Sequence, residues 1–422
     1  MKRRGILTLI LCVCSGLAAS AQQSSVRRLR TQFPRHHAVN QAAQSADVSQ
    51  PYLLQSSTSQ NFWELGAYPG GTWADLGDIN DLGLAVGVGG VPPDGNTHTL
   101  AVPVFGPHAG QWIDLGTLGG EYTGWEEPLN RVSDTGIIVG HSATSSGYVH
   151  GFVWTEKSGI VDLGTLADIG YKKYNSSYAA GINKLGTLIV GWSGIEQSCL
   201  DCAVALPVVW TPSVECKSGE FVTKWKIHKL DTAGFPNLAR WYAWSVNDFG
   251  QIIAATWNYP ETIGTAIVWN PLPNGKGWKA TSIFTSTDFP YMLPFTINDR
   301  GQITGGALVA DTNITFPPVF WKPLSATRKT YSPPIMLALP AGFVGGYTDG
   351  INELGDMTGE LWGDAGDQAF RWRTADPNFV EMLNPSLDWS YSFGVGNARI
   401  AAIAYAGANC TVDRCGGAIQ LH

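Results

Sequence analysis

Thr296-Ile297-Asn298-Asp299-Arg300-Gly301-Gln302-Ile303-Thr304-Gly305 reads as an apolar strand end, a tight polar turn closed by glycine, and a second apolar strand. Asn and Asp accept turn dihedrals and bond their own backbone, and Gly takes positive φ without a Cβ clash. The stretch is therefore a β-hairpin. It returns as Asp78-Ile79-Asn80-Asp81-Leu82-Gly83-Leu84-Ala85-Val86-Gly87 and as Gly350-Ile351-Asn352-Glu353-Leu354-Gly355-Asp356-Met357-Thr358-Gly359. Shorter copies are Val132-Ser133-Asp134-Thr135-Gly136, Ile182-Asn183-Lys184-Leu185-Gly186 and Val246-Asn247-Asp248-Phe249-Gly250, with a worn one at Val395-Gly396-Asn397-Ala398-Arg399. Successive copies lie 53, 50, 64, 51, 54 and 44 residues apart, counted from the Asn position. That is the period of a propeller blade, far longer than the coil of a β-helix.

Two further pieces accompany the hairpin. One is an Asp-Leu-Gly phrase, clearest at Ile113-Asp114-Leu115-Gly116-Thr117-Leu118-Gly119-Gly120 and Val161-Asp162-Leu163-Gly164-Thr165-Leu166, and degenerate at Trp63-Glu64-Leu65-Gly66 and Val380-Glu381-Met382-Leu383. The other ends in Trp: Phe152-Val153-Trp154, Val208-Val209-Trp210, Ile267-Val268-Trp269, Val319-Phe320-Trp321 and Phe370-Arg371-Trp372. Four strands per copy make sheets too small to bury both faces alone, so neighbours must stack and a ring must close. The expected fold is all-β, a seven-bladed β-propeller of four-stranded antiparallel blades, with six blades the alternative because the seventh copy is worn. The recurring Trp and the Ile/Val pairs are assigned to packing between sheets. Which strand is innermost, and whether the two chain ends share a blade, stay open.

Composition agrees: the 422 residues are 44% hydrophobic and only 14% charged, with 50 Gly and 17 Trp. Low charge with abundant Gly and aromatics suits short strands joined by tight turns. A net charge of −7 disfavours a nucleic-acid partner, which demands clustered Lys and Arg. Residues 1–21 read as a signal peptide: Lys2, Arg3 and Arg4, then the apolar run Ile6 to Val13, then Ala19-Ser20-Ala21. Residues 22–60, rich in Gln, Ser and Ala, are expected to be a disordered linker, and 61–422 the repeat domain. The mature chain is expected to be secreted, with no membrane span.

These repeats resemble the HAF-family extracellular repeat proteins of bacteria, whose unit joins a His-Ala-Phe-x-Trp strand, an Asp-Leu-Gly-Thr-Leu-Gly-Gly strand and an Ile-Asn-Asp-x-Gly turn. The residues that carry the resemblance are His150-Gly151-Phe152-Val153-Trp154, Gln368-Ala369-Phe370-Arg371-Trp372, Asp114 to Gly120 and Ile297 to Gly301. It covers nearly everything from Phe62 onward, although the histidine stands only at His150 and the Ala-Phe only at Ala369-Phe370. The resemblance implies secretion and repeat architecture, and brings no catalytic residues.

Cys199, Cys202, Cys216, Cys410 and Cys415 remain once the leader is removed. In an exported chain they read as disulfides. Cys410–Cys415 closes a short loop worth about 2 kcal/mol, and one of Cys199 and Cys202 is an alternative partner for Cys216, with one thiol of the five left odd. Aromatics recur before each hairpin. Trp125, Tyr174, Tyr178, Trp241, Tyr242, Trp244 and Trp389 are the candidate ligand contacts, against the plainer reading that they wedge neighbouring blades. The turn acids Asp81, Asp134, Asp248 and Asp299 lack the spacing of a calcium loop. No nucleophile or zinc motif appears. No metal or cofactor is expected. The function expected is a non-catalytic binding module for carbohydrate or protein outside the cell. The alternative is a carbohydrate-active hydrolase or lyase whose carboxylates gather from several blades at the channel mouth.

Overall fold

The computed structural model describes residues 54–56, 61–124, 131–195, 204–217, 220–235, 238–257, 264–284, 288–289, 291–308, 316–364, 366–383, 386–407 and 410–421. In chain order the strands are β1 (Leu54–Ser56), β2 (Phe62–Gly66), β3 (Ala74–Ile79), β4 (Leu84–Val91), β5 (Asn96–Pro103), β6 (Ile113–Asp114), β7 (Gly119–Thr123), β8 (Arg131–Val132), β9 (Ile138–Thr144), β10 (Val149–Thr155) and β11 (Gly159–Asp162). They continue with β12 (Ser176–Ile182), β13 (Ile189–Gly194), β14 (Ala205–Lys217), β15 (Glu220–Lys229), β16 (Arg240–Val246), β17 (Ile252–Trp257), β18 (Gly264–Pro271), β19 (Trp278–Ser282) and β20 (Tyr291–Ile297). The remainder are β21 (Ile303–Leu308), β22 (Pro318–Trp321), β23 (Ile335–Met336), β24 (Phe343–Ile351), β25 (Asp356–Gly363), β26 (Gln368–Arg373), β27 (Asp376–Met382), β28 (Trp389–Val395), β29 (Ile400–Ala406) and β30 (Cys415–Gln420). Among the described residues the helical content is one 3-10 turn, Leu166–Ile169.

Each repeat lays down its strands side by side in sequence order, as in β3-β4-β5-β6 and β20-β21-β22-β23. One sheet holds eight strands, but its halves β12–β15 and β16–β19 join only through the single parallel pair Ala205 and Arg240. The hairpin arms come first in each unit, the Trp strand third and the Asp-Leu-Gly strand last. Between consecutive units lies an apolar cluster fed by both. Leu163 and Val153 meet Trp210 and Ile189, for example, and Val209 and Val190 meet Trp269 and Ile252. Burial of such large side chains, each worth about 1.5–3 kcal/mol, is what binds one small sheet to the next.

Two of the recurring Trp residues lock their junctions with an indole hydrogen bond. Trp210 Nε1 donates to Leu163 O at 2.9 Å and Trp269 Nε1 to Asp231 O at 2.8 Å, in each case in the last strand or turn of the preceding unit. Trp112 does the same to Leu65 O at 3.1 Å.

Closure settles one question left open by the sequence. The last unit has only β28, β29 and β30 of its own, and β2 completes it, antiparallel to β30 with Trp63 opposite Ala418. The two chain ends share a sheet. Leu76, Ile79 and Val102 then pack with Ile400, Ala402 and Ala418 across that junction. A second departure concerns the stretch read as linker: Leu54–Ser56 adds to the outer edge of β27 in parallel, Leu54 opposite Val380. A free strand edge offers unpaired N–H and C=O groups, and pairing with them requires no apolar pattern in the added segment. That is why composition gave no sign of it.

The histidine of His150-Gly151-Phe152-Val153-Trp154 also gains a physical role. His150 Nδ1 lies 2.8 Å from Asp162 Oδ2, and Asp162 Oδ1 accepts Gly164 N at 2.7 Å. His98, at the matching place in β5, lies 2.9 Å from Asp114, which accepts Gly116 N at 2.9 Å. The histidine thus staples the third strand to the Asp-Leu-Gly strand, and His98 is a second copy that sequence comparison missed because Leu100 replaces the Phe. Burial pulls the His150 imidazole down, but the Asp162 hydrogen bond and charge, with Asn175 and Asp168, raise it above the ordinary histidine value. A raised folded value means stability fully present below the unfolded pKa of about 6.5 and lost as pH rises through the folded one. His150→Gln is expected to lose about 1 kcal/mol near pH 5.5, with the gap to wild type narrowing in alkaline denaturation curves. A gap that stayed constant across that range would leave only a packing role.

Cys410 and Cys415 are disulfide-bonded, with Cα atoms 5.8 Å apart. Cys199 and Cys202 lie outside the described residues. Cys216 is a free, exposed thiol, which corrects the expectation that it joins a disulfide. The reason is reach. Cys216 stands eleven residues along β14 from Ala205, roughly 35 Å at strand rise, beyond what the few residues between Cys199 or Cys202 and Ala205 can span.

Candidate functional site

Because strands alternate in direction, all the Asn-Asp-x-Gly turns lie at one end of the molecule and the longer connections at the other. At the turn end the turns hydrogen-bond to one another in a circle. Asp81 N donates to Asp134 Oδ1 (3.0 Å), Leu185 N to Asp248 Oδ1 (3.0 Å), Asp248 N to Asp299 Oδ1 (2.8 Å) and Asp299 N to Glu353 Oε1 (2.9 Å). Glu353 N donates to Asn397 Oδ1 (2.7 Å), and Asn397 Nδ2 returns to Asp81 Oδ2 (2.7 Å). Where the third repeat has Lys184 in place of the acid, Asp134 N uses its backbone carbonyl instead, at 3.0 Å. Asn side chains add a partial second set of links: Asn80 Nδ2 to Ser133 O (2.9 Å), Asn247 Nδ2 to Asn298 O (3.0 Å), Asn298 Nδ2 to Asn352 O (2.9 Å) and Asn352 Nδ2 to Gly396 O (3.1 Å). Turn chemistry alone accounts for the turn acids within each copy. They also tie each repeat to the next, a long-range role invisible in a single copy.

Just within the circle is a cavity of about 80 Å³, lined by residues from the innermost strands and turns, among them Asp78, Arg131, Lys184 and Glu353. Its lining identifies the first hairpin arm as innermost. Burial raises the carboxyls of Asp78, Asp134, Asp248 and Glu353 above the ordinary range, outweighing the backbone N–H bonds and cations that lower them.

Toward the other end the channel is filled by aromatic rings. Tyr178 stacks on Trp192 at 5.2 Å, Trp192 meets Tyr242 at 4.8 Å and Trp244 at 5.1 Å, and the chain of rings continues through Phe295 to Tyr347. The backbone arranges this with a β-bulge at the same place in β12, β16, β20 and β24. A bulge inserts one unpaired residue and re-aims the side chains after it. Trp244 and Phe295 are such extra residues, and both turn into the channel.

Of the candidate contacts, Tyr178, Trp241, Tyr242 and Trp244 are between 1% and 3% exposed. Three belong to the channel filling, and Trp241 packs on Trp269 at 5.6 Å in the junction between units. They serve as packing residues here. Tyr174 and Trp389 are half-buried; Tyr174 contacts Tyr171 edge-on at 6.4 Å and Trp389 stacks on Tyr391 at 5.5 Å. Trp125 lies outside the described residues.

Two charged clusters escaped the sequence reading. At the ring closure Arg414 Nη1 donates to buried Asp75 at 2.6 Å while its guanidinium lies 4.5 Å over Trp73, and the neighbouring Cys410–Cys415 bond fixes that loop. In the sixth repeat Arg371 is wholly buried where other copies carry Val or Phe. It donates to Asp356 Oδ1 through Nε (2.9 Å) and Nη2 (2.6 Å), and to Glu381 Oε2 through Nη1 (3.0 Å). The signal was present: Phe370-Arg371-Trp372 puts a cation at the centre of an otherwise apolar strand.

No family model and no curated protein matches the chain. Among solved structures it is similar to the β-propeller domain of the Trilobed protease from Pyrococcus furiosus, at 12% identity over 82% of this chain and 94% of that one, with a TM-score of 0.48. It is also similar to Trypanosoma rangeli sialidase, at 11% identity over 88% of this chain and 59% of that one, TM-score 0.40. A third is prolyl oligopeptidase B from Galerina marginata, at 8% identity over 80% and 48%, TM-score 0.48. The chain spans about half the length of the last two.

Proposed function

We propose that the four-stranded units are the blades of a seven-bladed propeller of the HAF extracellular-repeat kind, secreted, and acting as a non-catalytic binding module. The blade count rests on dividing the eight-stranded sheet at its single parallel pair, and on each unit contributing one turn to the circle of hydrogen bonds. The observation that carries the functional reading is the state of the channel. Its cavity of about 80 Å³ is well below the 300–1,000 Å³ of sites that enclose a small molecule. Its turn carboxylates accept backbone N–H groups of neighbouring turns, so none is posed as an acid–base pair.

A glycan array run beside a turnover screen on the same saccharides tests this. Saturable binding without products is the expected result; released products would overturn it in favour of a hydrolase or lyase.

A further inference from the structure

Several of the most exposed apolar side chains occupy one repeat position. Leu82 (71% exposed), Phe249 (59%), Leu185 (56%) and Leu354 (48%) fill the third place of the repeated turn in four of its seven copies, the others carrying Thr135, Arg300 and Ala398. Turn chemistry requires the Asn, the Asp and the Gly, and is indifferent to the residue between them. Leu82, Leu185 and Leu354 are about half exposed or more, so the fold gains little from an apolar side chain at those tips; Phe249 differs in reaching a residue of the next unit. Phe249 is further steadied by the Arg328 guanidinium, 4.2 Å from its ring centroid. Recurrent apolar tips on one end of a soluble body mark a contact surface.

The centre of that surface is charged. The cavity inside the collar is lined by five carboxylates, those of Asp78, Asp134, Asp248, Asp299 and Glu353, against the two cations Arg131 and Lys184. The excess is negative. The hollow is too small for a sugar ring with its hydroxyls but has room for a cationic head group and its last methylenes. A cation entering there replaces water with fixed carboxylates, while flanking apolar side chains cover the collar, so charge sets register and apolar area supplies affinity.

We infer that the turn end is a docking surface for a protein segment that presents one Lys or Arg between apolar residues, the cation entering the central hollow and the flanks resting on Leu82, Leu185, Phe249 and Leu354. This rests on the binding-module reading and names its partner chemistry. The test uses the intact protein and an array of short peptides with a central Lys, Gln or Glu, flanked either by Leu and Phe or by Ser. Lys-centred, apolar-flanked peptides are expected to bind, Gln and Glu centres to lose at least about tenfold, and added salt to weaken the Lys series. The L82S/L185S variant, whose unfolding midpoint should match wild type because both side chains are more than half exposed, is expected to lose at least about tenfold as well. Equal binding of all centres, or full binding by the variant, overturns the inference. Self-association abolished by L82S/L185S also overturns it, by making a second copy the occupant. Glycan binding without turnover alongside a silent peptide array would sink this inference alone, whereas turnover would sink the binding-module reading itself.

Discussion

Arg371→Ala is expected to destabilise the protein by about 3–5 kcal/mol in chemical denaturation, more than most single substitutions cost. The guanidinium is fully buried and holds Asp356 on one side and Glu381 on the other. Removing it leaves two carboxylates in a site without water to solvate them. Arg399 and Arg373, with Nε 3.1 Å and 3.6 Å from Asp356 Oδ2 and Oδ1, stay beside Asp356 but are themselves about a third exposed or more and do not replace the buried guanidinium. The diagnostic control is R371M/D356L/E381M, which removes all three charges. It is expected to recover most of the loss, because a buried ion cluster is costly to break and cheap to replace by apolar residues of similar volume. If R371A costs under about 1 kcal/mol, the cluster is more hydrated than its burial indicates.

Trp192→Ala is the second large effect, about 3–5 kcal/mol from lost burial and the cavity left behind. Trp192 is 1% exposed and touches Tyr178, Tyr242 and Trp244 together. The experiment separates the two readings of the aromatic ring. Side chains kept for an open ligand surface would be removable at well under about 1 kcal/mol; side chains that fill the channel would not. Denaturation midpoints with an unchanged m-value would show that the native ring persists while its filling has been lost.

Much of this architecture was legible because turn chemistry is local. Asn298-Asp299-Arg300-Gly301 specifies its hairpin with no help from the rest of the chain, and copying it makes the period visible. What was not legible depends on neighbours. Asp134 and Asp248 look like ordinary turn residues until the adjacent turn is placed beside them. The alternation that sorts a strand into two faces is shifted by a bulge that leaves no composition signature, so Tyr242 and Trp244 gave no hint that both fill the channel. His98 was hidden by a neighbouring Leu, although its pairing with Asp114 repeats that of His150 with Asp162. Leu54–Ser56 joins β27 through main-chain groups, which every sequence possesses.

A strand from the opposite chain end shuts the ring. Hydrogen exchange across Cys415–Gln420, compared between a chain lacking residues 1–60 and one lacking residues 1–66, tests this directly, since β1 is missing from both. With β2 gone, the β30 amides facing Phe62–Gly66 are expected to lose protection and the whole domain to unfold at lower denaturant, because Trp63 and Leu65 leave the junction around Leu76 and Ala418. Unchanged protection of β30, with an unchanged midpoint, would contradict closure by β2.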